Sequence, residues 1–152
     1  MRAEGRHILV VRLEIVGEMR SIEAGSNTKL IAVIDDDPFV LEAMGGLLRK
    51  WGYEVLTAAT GCAALHWLAE RRRSPDLIVC DYHLSDGQTG IEVIDRLRGA
   101  FRIPAFLITA DAAAAELAEA GGLDIEVVRK PADPKTLRAM LRQALGGRSR
   151  AQ

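Results

Sequence analysis

LIAVIDDDPFV, residues 30–40, joins two unlike textures. Leu30 to Ile34 form an apolar run of strand length. Three carboxylates follow at once, Asp35, Asp36 and Asp37, and then Pro38. Like charges at contact distance repel by about 1 kcal/mol even in bulk water, and by more near a protein surface. The crowding needs either a cation or a separate task for one of the three. Pro38 suits the first position of a helix, and Asp37 suits its N-cap, where a carboxylate accepts from free backbone N–H groups. The functional pair is then Asp35 and Asp36, at the end of a buried strand.

The same alternation continues outward. Short apolar runs read as strands at LIAVI (30–34), YEVLTA (53–58), DLIVC (76–80), PAFLIT (104–109) and IEVV (125–128). The segments between them have helical spacing. The first helix begins at Pro38, presents Val40, Leu41, Met44, Leu47 and Leu48 on one face, and ends at Gly52. The second starts near Thr60, with Leu65 and Leu68 inward. The third runs from about Thr89, with Ile91, Ile94 and Leu97 inward. The fourth is the Ala-rich segment 112–120, closed by Gly121. The fifth has Asp133 as N-cap and Pro134 at its first position, with Leu137, Met140, Leu141, Ala144 and Leu145 inward. Strands that are apolar throughout, alternating with helices, predict an α/β fold: a doubly wound parallel sheet of five βα units with helices on both faces. Sites in such folds lie beyond the carboxyl ends of the strands.

Composition narrows the function. The 152 residues suffice for one domain with a real core. A net charge of -1 gives no basic excess for nucleic acid and no polybasic cluster for an anionic membrane. Arg71, Arg72 and Arg73 sit where the second helix should end and complement its dipole. Cys62 and Cys80 lack metal-ligand spacing, and Cys80 reads as a buried small hydrophobe, which fits a reducing cytoplasmic setting. No apolar run approaches bilayer length, and the short ILVV near the N-terminus is followed at once by charge. Residues 1–29 stand outside the repeat as an N-terminal extension. They hold one candidate strand and a linker, and a role in homodimerisation is open. The domain proper spans 30–146, and 147–152 reads as a disordered tail.

The predicted strand ends gather one set of groups on one sheet edge. These are Asp35 and Asp36 from the first strand, Asp81 from the third, Thr109 and Ala110 from the fourth, and Lys130 before Pro131 from the fifth. Carboxylates without His or Cys are hard ligands for Mg²⁺ or Mn²⁺. A lysine and a hydroxyl suit a phosphoryl group. Phosphoryl transfer needs mainly positioning and charge neutralisation, and a carboxylate can be its nucleophile. Each residue alone has a plainer reading: a turn aspartate, a β-branched strand residue, a loop lysine. Their joint order on successive strand ends is the signal.

The segments VIDDDP, PDLIVCDYHLSDGQTGIEVIDRLR, IPAFLITA and VVRKPADP resemble receiver domains of two-component response regulators, with a chemotaxis-regulator-like fold. The likeness covers about residues 30–146, and in its finer style is similar to receivers fused to hybrid sensor histidine kinases. It implies a flavodoxin-like strand order 2-1-3-4-5. It implies Asp81 as phosphoacceptor, and Asp35, Asp36, Asp81 and the backbone carbonyl of His83 as ligands of Mg²⁺. It implies Thr109, with Ala110, and Lys130 as the phosphoryl-binding switch, and a cis bond before Pro131. The implied phosphodonor is a histidine kinase or histidine phosphotransfer protein. The chain ends soon after the fifth helix, so the expected output is a protein contact through the fourth helix, fifth strand and fifth helix. Slow autodephosphorylation, rather than turnover catalysis, is expected.

Three departures from the family pattern stand out. Val127 occupies a position that is often aromatic. Ser85 replaces a common proline. The loop SDGQTG is one residue longer than usual and carries Gly87 and Gly90, which suggests added mobility. His83 follows Asp81 closely; it is by default a solvent-facing loop residue, the other reading being a ring near the attacking water that modulates dephosphorylation. Two other readings compete: a receiver-like interaction module that is never phosphorylated, and a phosphatase of the haloacid-dehalogenase type using Asp35 and Asp37. The phosphatase reading lacks a late acidic pair and leaves Asp81 without a role.

Overall fold

Strand and helix alternate without exception through residues 28–99, 102–121 and 124–149, the parts described by the computed structural model. They are β1 (Leu30–Ile34), α1 (Pro38–Lys50), β2 (Glu54–Ala58), α2 (Gly61–Arg71), β3 (Leu77–Asp81), α3 (Gly90–Arg98), β4 (Ala105–Thr109), α4 (Ala112–Ala120), β5 (Ile125–Arg129) and α5 (Pro134–Ser149). The sheet is parallel in the order β2-β1-β3-β4-β5. The candidate strand in the N-terminal extension lies outside the described residues.

The burial pattern explains why the apolar runs were readable. Every residue of β1, β3 and β4 is buried, whereas the edge strands β2 and β5 are partly exposed. Only a strand covered on both faces can be apolar at consecutive positions. Alternate residues of β1 enter different cores. Leu30, Ala32 and Ile34 pack with Ala64 and Leu68 of α2, and with Val93 and Leu97 of α3. Ile31 and Val33 pack with Leu48 of α1, and with Leu137, Leu141 and Leu145 of α5. Phe106 on β4 is fully buried in this second core, a burial that favours the fold by roughly 2–3 kcal/mol.

Each helix starts on a side-chain cap. Asp37 accepts from Phe39 N, Thr60 from Ala63 N, Thr89 from Glu92 N, Asp111 from Ala113 N and Ala114 N, and Asp133 from Thr136 N. Asp37 is thus spent on α1. The arginine run closes α2: Arg71 stacks over Trp67, and Arg73 pairs with Glu54.

The apolar face of α1 is divided in use: Leu48 enters the core with Leu41 and Met44 packed against it, and Val40 and Leu47 line an open apolar groove with Met44, Ala132, Pro134 and Leu137. Helix α5 runs to Ser149. Glycine there slows helix propagation but does not forbid it. Residues 150–152 lie outside the described residues. Among the described residues, no helix is long and apolar enough to cross a membrane.

Candidate functional site

The parallel sheet delivers five strands to one edge with their carboxyl ends together, and the polar groups collect there. Among the described residues, only Asp35, Asp81 and Thr109 are polar and buried, at 5%, 9% and 1% exposure. All three stand at strand ends on that edge. Buried polar groups are retained where they are paired or used.

Carboxylate oxygens of Asp35, Asp36 and Asp81 all lie within 4.8 Å of one another. Lys130 Nζ, just beyond β5, stands 3.1 Å from Asp81 Oδ1. Its backbone N–H donates to the Thr109 carbonyl at 3.1 Å, which ties the two strand ends together, and the Lys130–Pro131 bond is cis. The Thr109 hydroxyl accepts from Asp111 N at 3.0 Å, so its own proton remains free to donate. Ala110 follows it, exposed and without bulk at the mouth. The five candidate side chains Asp35, Asp36, Asp81, Thr109 and Lys130 therefore meet at one edge, as their order on the strands implied.

Asp35 takes up a proton more readily than an ordinary aspartate. Burial is the main cause, opposed by the Asp37 N–H it accepts at 2.9 Å and reinforced by the charge of Asp81. An acid whose folded pKa is raised contributes stability below its unfolded pKa, and that contribution is lost as pH rises through the folded pKa. At neutral pH without metal, Asp35 therefore weakens the fold. Asp35→Asn keeps an oxygen for the Asp37 N–H and removes the charge. With chelator at pH 7 the variant should be more stable by about 1 kcal/mol, a few degrees in Tm. The gain should shrink towards about pH 4. A variant that melts below wild type at pH 7 under chelation contradicts this account.

The neighbouring Cys80 is chemically quiet. Burial, followed by the charges of Asp81 and Asp35, pushes its thiol far up, and it donates to the Asp81 carbonyl at 3.3 Å. Val127 is half-buried and packs against the core shared with α2 and α3.

One contact lay beyond reading from the sequence. His83 Nε2 meets Asp111 Oδ2 at 3.1 Å. His83 lies two residues after Asp81, and Asp111 two after Thr109, on loops leaving adjacent strands. The signal for Asp111 was its place before an alanine run, a cap position. Hydrogen bonds from Ala114 N and from His83 hold its carboxyl below the usual aspartate range. The long loop before α3 is anchored at its far end, because Gly90 N donates to the Tyr82 carbonyl at 2.8 Å.

Comparisons with known proteins agree with this geometry. Residues 31–142 match the family model described as the response regulator receiver domain. The transcriptional regulatory protein KdpE of Mycobacterium tuberculosis is 36% identical over 118 residues, covering 76% of this chain and 50% of that protein. The phyllosphere-induced regulator PhyR of Methylorubrum extorquens is 27% identical over 129 residues, covering 83% and 46%. The chain thus spans about half the length of these curated relatives. The receiver domain of PhyR from Erythrobacter litoralis superposes with a TM-score of 0.64 at 30% identity, covering 78% of this chain and 90% of that one. The signal receiver domain of an HD domain-containing protein from Pseudomonas fluorescens gives 0.70 at 26% identity, covering 82% and 91%. With its sheet order, its strand-end acids and a family match across most of its length, this chain belongs to the response regulator receiver domain family.

Proposed function

We propose that the chain accepts a phosphoryl group on Asp81 from the phosphohistidine of a histidine kinase or histidine phosphotransfer protein, in the cytoplasm. The observation that carries this reading is the Asp81 carboxylate, nearly buried, with Lys130 Nζ at 3.1 Å and carboxylate oxygens of Asp35 and Asp36 within 4.8 Å. A carboxylate held this way is a preformed nucleophile beside a cation that can take up phosphoryl charge.

In the transfer, an Asp81 oxygen forms a bond to phosphorus as the phosphorus–nitrogen bond breaks. The imidazole nitrogen keeps that electron pair. Lys130 moves from the bare carboxylate to share the phosphoryl charge, and the Thr109 hydroxyl donates to a phosphoryl oxygen. The acidic cluster fits a hard divalent cation, since it offers oxygens close together and no thiol or imidazole. Asp35, Asp36, Asp81 and the His83 carbonyl would hold Mg²⁺, which when bound neutralises charge on the phosphoryl oxygens. The product is a covalent state of the protein, not a released turnover product.

Phosphorylation then biases a two-state equilibrium of the face formed by α4, β5 and α5, which reads out to a protein partner. Helix α4 buries only Ala114, Ala115 and Ala118, and leaves Glu116, Leu117 and Glu119 outward.

The test is intact-protein mass after incubation with a small phosphodonor, with Mg²⁺ and with chelator. The expected result is a gain of one phosphoryl group that requires the metal. No gain with any small donor or phosphohistidine protein overturns the reading and favours an interaction module that works unphosphorylated.

A further inference from the structure

One flank of the molecule sets an apolar row beside a row of cations. On α1, Val40, Met44 and Leu47 are spaced i, i+4 and i+7, so they share a face. With Ala132, Pro134 and Leu137 they line the open groove between α1 and the start of α5. Helix α5 carries Lys135, Arg138 and Arg142 at i, i+3 and i+7. All three are exposed, and no carboxylate among the described residues pairs with them. Arg138 lies over the Trp51 ring at the end of α1, 5.5 Å from its centroid, which turns this row towards the groove.

The complement of this flank is on the same chain. Helix α4 buries Ala114, Ala115 and Ala118 and leaves its other side open. There Ala113, Leu117 and Ala120, again at i, i+4 and i+7, form an exposed apolar row, with Glu116 and Glu119 beside it. Leu117 is 61% exposed, one of two large apolar side chains left outward among the described residues. No cation among the described residues pairs with either glutamate. The lengths also agree. At 1.5 Å per residue, the rows on α1 and α5 each run about 10 Å, and the apolar row on α4 about the same.

We propose that α4 of one copy of this chain seats in the α1–α5 groove of a second copy, apolar row on apolar row, with Glu116 and Glu119 against the cations of α5. Charge selects this pairing over its rivals. Groove against groove sets cations against cations, and α4 against α4 sets glutamates against glutamates; both are penalised. The complementary pairing joins two different faces, so each copy keeps one free groove and one free α4, and assembly does not stop at two. One short helix in a groove buries less than about 1,200 Å², the size of a weak, transient contact. The ion pairs set the choice of partner more than the strength.

The test is sedimentation equilibrium of the full chain, unphosphorylated and in chelator, from micromolar to millimolar concentration at low salt. The weight-average mass should climb past twice that of the monomer, and added salt should lower it. Glu116→Lys combined with Glu119→Lys should weaken association about tenfold, through like-charge contact with α5. Lys135→Glu combined with Arg142→Glu should do the same, while leaving Arg138 on Trp51. An equimolar mixture of the two charge-reversed proteins should associate again, because each offers the face that the other lacks. Damage to folding cannot be repaired by mixing. A chain that stays monomeric, a mass that levels off at twice the monomer, association that neither reversal weakens, or a mixture that stays apart each overturns the proposal. None of these outcomes bears on the phosphoacceptor reading, because no phosphoryl group enters the experiment.

Discussion

The Asp81→Asn protein is expected to gain no phosphoryl mass from any donor, with or without Mg²⁺, while remaining as well folded as wild type. The amide matches the carboxylate in shape but is not a nucleophile, so the loss of uptake is complete rather than partial. Two effects on stability oppose each other. The Lys130 contact loses its charge, but the Lys130 side chain is well exposed, and such pairs contribute about 1 kcal/mol at most. Against this, one of three mutually repelling carboxylates disappears from a cluster within 4.8 Å. The net change should stay within about 1 kcal/mol, with a melting curve in chelator at or slightly above that of wild type. Mass spectrometry and a thermal melt on the same sample decide the matter together. Continued uptake by a folded Asp81→Asn protein would move the acceptor to Asp35 or Asp36 and remove the basis of the proposed chemistry. Loss of uptake in an unfolded protein would instead show that Asp81 is a structural residue.

The sequence disclosed the fold because burial on both faces leaves no room for disguise. β1 had to be apolar throughout, and β3 and β4 at every position but the last, and their ends had to be abrupt, since Asp35, Asp81 and Thr109 are where the sheet meets the polar edge. The edge strands were legible only through their position in the repeat, because β2 begins with exposed Glu54 and β5 ends in exposed Arg129. The caps were legible for Asp37, Thr60, Thr89 and Asp133, which precede helical segments as Asp or Thr. Asp111 has the same signature, but its neighbour Thr109 drew the functional reading. Its partnership with His83 spans 28 residues and depends on β3 lying beside β4, a fact of topology that no local pattern carries. The groove beside α1 was hidden for a related reason. Helical periodicity puts Val40 and Leu47 on the apolar side of α1, but Ala132, Pro134 and Leu137, which line the groove with them, come from far along the chain.

Gly90→Ala should cost about 3 kcal/mol and lower Tm by roughly 10 °C, the largest stability change expected of an added methyl at any described glycine. A Cβ at Gly90 would lie 2.3 Å from the Asp81 carbonyl oxygen and 2.8 Å from Leu107 Cδ1. The leucine end can rotate away; the carbonyl cannot, because it belongs to the end of a buried strand. The first turn of α3 would have to lift off β3, at the expense of the Gly90 N–H contact with the Tyr82 carbonyl at 2.8 Å. The displaced backbone is that of Asp81, so phosphoryl uptake should fall along with stability, although Gly90 has no side chain to act in the reaction. Gly87→Ala is the matched comparison. Its φ of +85° strains an alanine, but no heavy atom lies within 4 Å of the added Cβ, so the cost should stay near 1 kcal/mol and Asp81 should be undisturbed. Thermal melts and mass gain on the two variants separate steric contact from backbone strain in one loop. If Gly90→Ala melts like wild type, the loop SDGQTG gives α3 enough slack to move without Asp81. If Gly87→Ala proves the more damaging, the loop is held by its turn rather than by the seat of Gly90 against the strand.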